Sequence, residues 1–369
     1  MKHRLRLISI ALIAVLLFMI LGNGTGCTGG GTTYTLIMAS TAGGSVTPAV
    51  GTYNYSAATV VNLKATPDSG YRFVNWTGGG TDIGDAMAAT TTITMNADHT
   101  VTAHFALGTL IEDVPDTNQP PTMTLITTMV NPTNYCAPMA MVNVLGYWDE
   151  VKGLPNAKNV TAFLPNSLST VAEYLAWFMD TNNNPPPDMD RANGPHLGTF
   201  DKDIAPGTLD FVRWDNAHNP PGITVPPWGL PAGKLGYAWT VTQNCSPDYG
   251  SSLAFYKNEI NAGRPLVVSF SYWNPVFGVN VTDPQTGETI SAFGWGTPVN
   301  YSTDPPEAWE PTIGHAVTGV GYILNWDPDG AGPLPVTDYV IVHDNWAKTP
   351  ENVAISWANW VCLFAVNPG

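Results

Sequence analysis

The sequence predicts a multidomain protein in which a small all-β unit is followed by an α+β domain, with helices first and an antiparallel sheet after them. Three observations lead to this prediction. Residues 33–106 contain short runs rich in Val, Thr, Ile and aromatic residues, separated by turn residues. Residues 107–122 are acidic and contain a Pro pair, which indicates a linker. From residue 123 to 369, helical patterns come before strand patterns.

The composition is that of an exported, loop-rich protein. The chain has 36 Gly and 32 Pro, yet 44% of its 369 residues are hydrophobic, which is enough to fill a core and excludes a disordered chain. The formal net charge is −15. Because nucleic acids and anionic membrane surfaces repel such a chain, we expect neither of them as a partner.

Residues 1–26 have the organisation of a signal peptide. The basic start "MKHRLR" precedes an apolar run at 7–22, which is shorter than the roughly 20 residues that span a bilayer comfortably. The small residue before Cys27 and the Gly-rich tether at 27–32 resemble a bacterial lipoprotein processing site, in which Cys27 carries the lipid. An uncleaved N-terminal anchor and ordinary secretion are the alternatives. All three predict a protein that works outside the cytoplasm, and the first two anchor it to the membrane at the cell surface.

The all-β unit resembles a known bacterial surface module. The stretches "ATPDSGYRFVNWTGGG" and "ITMNADHTVTAHF" are similar to one internalin-B-type (Listeria–Bacteroides) repeat over the whole of 33–106. Such units serve as spacers or adhesive modules. We expect Tyr71, Phe73 and Trp76 to pack in its core and to have no role in a functional site.

The second domain is predicted to contain four helices and then four strands. Helical patterns cover 136–150, 166–180, 207–217 and 251–263. Strand patterns cover 264–273, 315–324, 338–346 and 353–366.

Cys136 begins the first of these helices. A helix N-terminus offers unsatisfied N–H groups and partial positive charge, which stabilise a thiolate, so this position predicts a lowered thiol pKa. Pro138 is tolerated there because the N–H groups of a first helical turn have no partner within the helix. Alone, the pattern is more typical of a structural Cys.

Two later residues make the Cys136 pattern more specific. His315 begins one predicted strand and Asp344 ends the next, so neighbouring antiparallel strands bring an imidazole and a carboxylate to one end of the sheet. A thiol, a base and a group that orients the base are what a cysteine nucleophile needs. Asn345 is the alternative orienting residue if the strand register differs by one. His343, which faces the opposite side of its strand, is predicted to be a bystander.

Four segments of the second domain, taken in order, resemble the papain-like cysteine peptidases, in the branch of the double-glycine leader peptidases. They are "CAPMAMVNVLGYWD", "EINAGRPLVVSFSYWN", "GHAVTGVGY" and "YVIVHDNW". The resemblance implies that Cys136 is the nucleophile, His315 the general base and then acid, and Asp344 the orienting group, in the hydrolysis of a peptide or protein substrate. The family usually has a Gln six residues before the Cys, where this chain has Val130. Asn131 and Asn134 are the candidates for that oxyanion donor.

The other cysteines and the acidic loops suggest no cofactor. If Cys27 is lipidated and Cys136 is catalytic, Cys245 and Cys362 remain as a possible disulfide or as two buried thiols. The acidic stretches at 180–190 and 327–332 resemble calcium loops but lack the later Glu, and we interpret them as turns. We therefore expect neither a metal nor a cofactor.

These patterns lead to one main functional hypothesis, an extracellular, membrane-anchored cysteine peptidase with a Cys-His-Asp triad. The missing Gln and the adhesive type of repeat favour a second hypothesis, a surface binding or adhesion protein whose peptidase-like domain has lost turnover. A cell-wall hydrolase of the same broad fold is the third. Cell-wall hydrolases of this kind often use a second His as the orienting group, where this chain has Asp344.

Overall fold

The fold was analysed in a computed structural model. The structure describes residues 31–118, 135–148, 168–181, 198–213, 239–271, 273, 275–283, 286–295, 314–329, 332–346, 349–357 and 361–368. In this part the chain is mostly β, with a small N-terminal β unit and few helices. None of the helices in these ranges has the length and apolar character needed to cross a bilayer. The signal segment, Cys27, Asn131 and Asn134 lie outside the described residues.

The N-terminal β unit consists of seven strands and one short 3₁₀ helix. The strands are β1 (Thr33–Ser40), β2 (Gly44–Thr47), β3 (Gly51–Ser56), β4 (Val60–Pro67), β5 (Tyr71–Thr77), β6 (Thr90–Thr94) and β7 (His99–Leu110), and the 3₁₀ helix is Gly80–Asp82. β1 pairs with β3 and with β7, β5 pairs with β7, and β2, β4 and β6 form a separate sheet. Phe73 and Trp76 are buried in the core between these strands, as predicted, and Tyr71 is half-buried.

The boundary between the β unit and the predicted linker differs from the prediction. Residues 107–110 continue β7, and Gly108, Thr109 and Leu110 pair with a strand of the second region. The close approach needs glycine, because a Cβ on Gly108 would lie 2.7 Å from the carbonyl oxygen of Tyr322. The β unit is therefore joined to the second region by a shared strand and not by a flexible spacer.

The second region contains four helices and eight strands in its described part. The helices are α1 (Cys136–Gly146), α2 (Leu168–Phe178), α3 (Asp201–Val212) and α4 (Tyr249–Asn261). The strands are β8 (Thr240–Asn244), β9 (Leu266–Phe270), β10 (Pro275–Thr282), β11 (Thr289–Trp295), β12 (His315–Trp326), β13 (Thr337–His343), β14 (Asn352–Ser356) and β15 (Val361–Asn367).

The predicted helices occur, and the third is displaced toward the N-terminus at both ends. The third begins at Asp201 and ends at Val212, whereas the sequence predicted 207–217. Gly263 follows the fourth helix with φ +68, the left-handed conformation expected after a helix end. The last predicted strand is divided into β14 and β15, and β8, β10 and β11 were not predicted.

Strand β12 is the central element of the sheet. Its first half, from His315 to Gly319, pairs with β9, its second half pairs with β7, and β13 lies along its other side. Helix α1 packs on β12 and β9. This arrangement places the start of α1, which carries Cys136, near the start of β12, which carries His315.

Two buried cores lie on the two faces of this sheet. One is formed mainly by α1, α2 and α3 with Val267 of β9 and Ala316 of β12, and the other contains α4, Val268 and Val317. Along β9 and β15, successive side chains alternate between the two cores, as the period of two requires, whereas consecutive residues of β13 and of β14 all lie in the core that contains α4.

A disulfide joins Cys245, just after β8, to Cys362 in β15. This is one of the two arrangements that the sequence left open. Because β15 pairs with both β8 and β9, the bond fastens β8 to the rest of the sheet. Cys136 is the free cysteine of the described part.

Candidate functional site

Cys136 is the first residue of helix α1, as predicted. Its side chain is half-buried, while Tyr135, which precedes it, is fully buried. The backbone of Ala316, the residue after His315, hydrogen-bonds to the sulfur, as do the backbones of Ala137 and of Cys136 itself. A thiolate can only accept a hydrogen bond, so N–H groups are the donors. The fold thus brings the thiol against the first residues of β12.

Burial raises the pKa of the Cys136 thiol. The three backbone N–H groups act in the opposite direction, and the negative charge of Asp201 adds to the increase. The prediction of a lowered pKa was therefore wrong for the protein without substrate. The physical reason is that the surrounding protein removes more hydration from a thiolate than the N–H groups replace, although part of the side chain reaches solvent.

His315 is enclosed by aromatic rings at the start of β12. The side chain is 1% exposed, and its ring centroid lies 5.0 Å from that of Trp273 and 4.8 Å from that of Trp346. Its Nε2 donates to the backbone carbonyl oxygen of Asp344 at 2.9 Å. Burial lowers the pKa of His315 to about 4, against the effect of that hydrogen bond. The imidazole is therefore neutral at pH 7.

The carboxylate of Asp344 does not orient His315 in this structure. The prediction of Asp344 as the neighbour of His315 named the right residue but the wrong atoms. Asp344 Oδ1 accepts from the backbone N–H of Trp346 at 3.1 Å and from the hydroxyl of Thr349 at 2.5 Å. Strand β13 ends at His343, and Asn345 adopts φ +64, so the extended geometry that the prediction assumed stops before Asp344. The carbonyl of Asp344, and not its side chain, then faces the imidazole.

Burial also changes the ionisation of Asp344. Its Oδ2 is shielded from solvent and receives no hydrogen bond from the described residues. Burial raises the pKa of Asp344 to about 7, although the bonds from Thr349 and Trp346 favour the charged form. Near neutral pH the carboxyl group is therefore partly protonated.

A buried network of side-chain amides and one hydroxyl links these elements. Asn143 of α1 donates through Nδ2 to Asn345 Oδ1 at 2.9 Å and to Thr318 Oγ1 at 3.2 Å. Asn345 Nδ2 donates to the carbonyl of Ala316 at 3.2 Å, and the Thr318 hydroxyl donates to the carbonyl of Ala140 at 3.1 Å. Asn345 therefore links Asn143 to β12 by hydrogen bonds. His315 donates to the carbonyl of Asp344, so Asn345 does not replace Asp344 as its partner. We call Asn143, Thr318 and Asn345 the amide network.

Two members of the amide network, Asn143 and Thr318, were not predicted from the sequence. Asn143 is a polar residue among buried apolar residues of α1, and it is fully buried. A buried amide needs hydrogen-bond partners, so this position was the available signal. The sequence offered no means of identifying the partners.

His343 lies beside the segment that enters from the β unit. Its Nδ1 is 3.2 Å from the carbonyl oxygen of Pro115, and its Nε2 is 3.3 Å from Asn352 Oδ1. The backbone N–H of Thr117 donates to Asn143 Oδ1 at 3.0 Å. The segment at 114–117, predicted as part of the linker, thus contacts both His343 and the amide network.

Asp116 adds a second acid to this side of the site. Burial raises the pKa of Asp116 to about 6. The charges of Asp344 and Glu351 contribute to the increase, while His343 acts against it. The charge of Asp344 is therefore one of the causes that hold the pKa of Asp116 above its ordinary value.

The tryptophans near Cys136, His315 and Asp344 pack in the protein interior. Trp273 is fully buried and Trp346 is 9% exposed, both against His315. Trp148 donates its Nε1 to the carbonyl of Val366 at 3.0 Å. Core packing, which the sequence analysis favoured over a substrate groove, describes Trp273 best.

The comparison with protein families concerns the N-terminal β unit, whose strands were described above. Residues 34–109 match the family model of the divergent InlB B-repeat domain. The match extends to residue 109, within the part of β7 that pairs with β12. No curated protein matches the chain.

The InlB-type repeat is fastened to the second region by a buried ion pair as well as by β7. Arg72 of the repeat donates to the carboxylate of Asp283, and both side chains are almost completely buried. Asp283 Oδ2 also accepts from the Thr286 hydroxyl at 2.9 Å. The repeat also places Val74 and Ala106 in the core that contains α4. It is therefore continuous with the region that carries the candidate site.

Proposed function

We propose that residues 123–369 form a papain-like hydrolase domain that cleaves peptide bonds with Cys136 as the nucleophile and His315 as the base. The observation that carries this proposal is the contact between the Cys136 sulfur and the backbone of Ala316, the residue after His315. A free, half-buried thiol at a helix N-terminus thus contacts the strand residue that directly follows the imidazole-bearing His315. A nucleophile next to a base is the basic arrangement for covalent catalysis.

The hydrogen bond at Nε2 determines how His315 acts in this proposal. A carbonyl oxygen only accepts, so Nε2 carries the proton and, in the neutral ring, the lone pair is on Nδ1. A neutral imidazole next to a neutral thiol is a competent resting state for general-base catalysis. The proton then moves from sulfur to Nδ1 as the sulfur attacks, and not before the substrate arrives.

The proposed reaction proceeds through a thioester. The sulfur forms a bond to the carbonyl carbon of the substrate, the C=O electron pair moves to oxygen, and the thiol proton passes to His315. When the tetrahedral intermediate collapses, the C–N bond breaks and the leaving amine takes that proton. Water then attacks the thioester, His315 accepts the proton of the water, and the thiol is restored as the acid product leaves.

Backbone groups supply part of the oxyanion stabilisation in this scheme. The N–H of Cys136 is at the start of α1, where helix N–H groups have no partner within the helix. Asn131 and Asn134 remain the proposed side-chain donors. Removal of one such donor typically lowers the rate by about 10²–10³.

We propose that the protein works at the cell surface, held by a lipid on Cys27 or by its N-terminal segment. The disulfide between Cys245 and Cys362 supports export, because such bonds persist in oxidising compartments. The InlB-type repeat is consistent with this location, because internalin-B-type units are modules of bacterial surface proteins.

The test is hydrolysis of a mixed peptide library by the purified full-length protein in detergent, with Cys136→Ala and His315→Gln as the variants. We expect cleavage by the wild type and none by either variant, at unchanged melting temperature. The Ser291→Ala variant, which alters a buried hydroxyl of β11, is the matched control for a mutation elsewhere in the sheet. A folded wild type that cleaves no peptide of the library rejects the proposal.

A second candidate function, binding without turnover, is favoured by the ionisation of the site. Burial keeps the Cys136 thiol protonated and the His315 imidazole neutral, and His315 is enclosed between two tryptophans. A surface binding or adhesion protein needs no charged nucleophile. It predicts that Cys136→Ala has no effect on attachment of the protein to its partner surface. Cleavage of isolated peptidoglycan, but of no peptide, would instead favour a cell-wall hydrolase.

A further inference from the structure

The amide network touches each of the three elements that bear the proposed reacting groups. Asn143 is on the Cys136 helix, two turns after the sulfur and on the same helix face. Thr318 is three residues after His315 on β12, and Asn345 directly follows Asp344, whose carbonyl accepts from the imidazole. One fully buried side chain, Asn143, thus contacts the other two network residues.

Each polar atom of the Asn143 amide has a defined partner. Nδ2 donates to Thr318 and Asn345, and Oδ1 accepts from the Thr117 backbone. Asn345 in turn donates to the carbonyl of Ala316, and the N–H of Ala316 contacts the Cys136 sulfur. A shift of α1 along β12 would therefore break several buried hydrogen bonds at once. Such bonds are costly to lose because Asn143, Thr318 and Asn345 are all fully buried.

We propose that Asn143 is a positioning residue that fixes the Cys136 helix against β12 and so sets the approach of the sulfur to the imidazole. This inference rests on the proposed function and adds to it the residue that maintains its geometry. It also assigns a role to the segment at 114–117, because Thr117 contributes one of the bonds to Asn143. Asn143 acts through Ala316 and Asn345 and does not touch the substrate.

The decisive variants change hydrogen bonding with little change of shape. Thr318→Val removes the hydroxyl that accepts from Asn143 and keeps the branched side chain, while Thr318→Ser keeps the hydroxyl. Asn345→Gly removes both amide bonds at a position where φ +64 favours glycine. Asn143→Asp keeps the acceptor for Thr117 and loses the two donors.

We expect Thr318→Val, Asn345→Gly and Asn143→Asp to lower kcat by about tenfold to a hundredfold at nearly constant KM, since a displacement of about 1 Å can have that effect. Thr318→Ser is expected to stay within about twofold of the wild type. The Ser291→Ala variant loses a part-buried hydrogen bond to Asn280 from β11, which is three strands away from β12 in the sheet, and measures the effect of a general loss of stability.

A second readout does not depend on turnover. The rate of Cys136 alkylation by iodoacetamide is measured against pH in the full-length protein, with Cys136→Ala as the background. We expect Thr318→Val and Asn345→Gly to move the midpoint upward, because the Ala316 N–H lowers the thiol pKa in the wild type. Thr318→Ser and Ser291→Ala are expected to leave it unchanged.

The two proposals fail in different ways. A wild type that hydrolyses nothing overturns the proposed function, and the alkylation midpoints still decide the role of the network. Midpoints that are the same in Thr318→Val, Asn345→Gly and the wild type overturn the positioning role, even if peptides are cleaved. If Asn143→Asp does not fold, the Thr318 and Asn345 variants supply the same comparison.

Discussion

The imidazole of His315 donates from Nε2 to the backbone carbonyl of Asp344, at 2.9 Å, while the carboxylate of Asp344 is bonded to Trp346 and Thr349. A carbonyl fixes the tautomer and the ring orientation as a carboxylate does. It supplies no full negative charge, so it stabilises an imidazolium less. This relationship leads to distinct expectations for Asp344 and for His315.

We first predict that Asp344→Asn retains hydrolysis to within about tenfold of the wild type. The backbone carbonyl that holds His315 remains in place, whereas loss of a carboxylate that orients a catalytic imidazole lowers kcat by about 10⁴. Steady-state kinetics on a cleaved peptide measure the ratio, with His315→Gln as the inactive control. A loss near 10⁴ would show that the carboxylate reaches the imidazole during turnover.

A second prediction concerns stability against pH. Burial raises the pKa of Asp344 from 3.8 to about 7, so between these pH values the unfolded chain loses a proton that the folded protein keeps. Stability therefore falls as pH rises from about 4 to about 7, and the loss is complete above that range. Asparagine does not titrate. The Asp344→Asn variant should accordingly gain stability relative to the wild type over this window, by a few kcal/mol at most.

Urea unfolding at a series of pH values measures this difference. The lowered pKa of His315 gives the opposite slope, with stability rising from about pH 4 to 6.5, but it is common to both proteins and cancels in the comparison. Asp116 reinforces the effect, since the charge of Asp344 raises the pKa of Asp116. A difference in unfolding free energy that is flat from pH 4 to 7 would mean that Asp344 is solvated.

The third prediction is an acid limit of activity far below the usual range of histidine. Because burial lowers the pKa of His315 to about 4, the base stays neutral in mild acid, and kcat/KM should fall only as the pH approaches 4. The pH–rate profile of the free enzyme gives the midpoint. An acid limb near the ordinary value of 6.5 would indicate a solvated imidazole or another base.

A fourth prediction concerns the disulfide. Cys245 and Cys362 are 117 residues apart, so their bond restricts a long loop of the unfolded chain. Replacing both by Ser should destabilise the protein by about 3–5 kcal/mol. Urea unfolding measures this effect, and wild type in reducing agent should show a similar loss. An unchanged midpoint would mean that the pairing of β8 and β15 already restrains these strands fully.

The fifth prediction tests the attachment of the InlB-type repeat. Arg72→Met leaves the buried Asp283 carboxylate without its cation and should destabilise the protein by about 3–5 kcal/mol. Asp283→Leu combined with Arg72→Met should recover much of that loss, because no buried charge remains. A double-mutant cycle on unfolding free energies measures the coupling. Strictly additive effects would show that the ion pair is open to water.

Local structure near the site was largely predictable. Helix α1 begins at Cys136, β12 begins at His315, and β13 ends at His343, one residue before Asp344. Hydrophobic periodicity, a Pro in the first turn and helix-ending glycines are local signals, and these elements carry them. In contrast, β10 begins at a Pro and contains Gly278, and β8 is mostly polar, so neither has a clear strand pattern.

The sequence by itself determined the helices, the main strands, the InlB-type repeat and the residues with reactive side chains, because those depend on neighbours along the chain. Only the tertiary structure decided which atoms meet. The hydrogen bond from Asn143 to Asn345 spans 202 positions, and that from His315 to Asp344 spans 29 and ends on a carbonyl that every residue possesses. Burial likewise raised one pKa and lowered another, and it results from the packing of all the elements together.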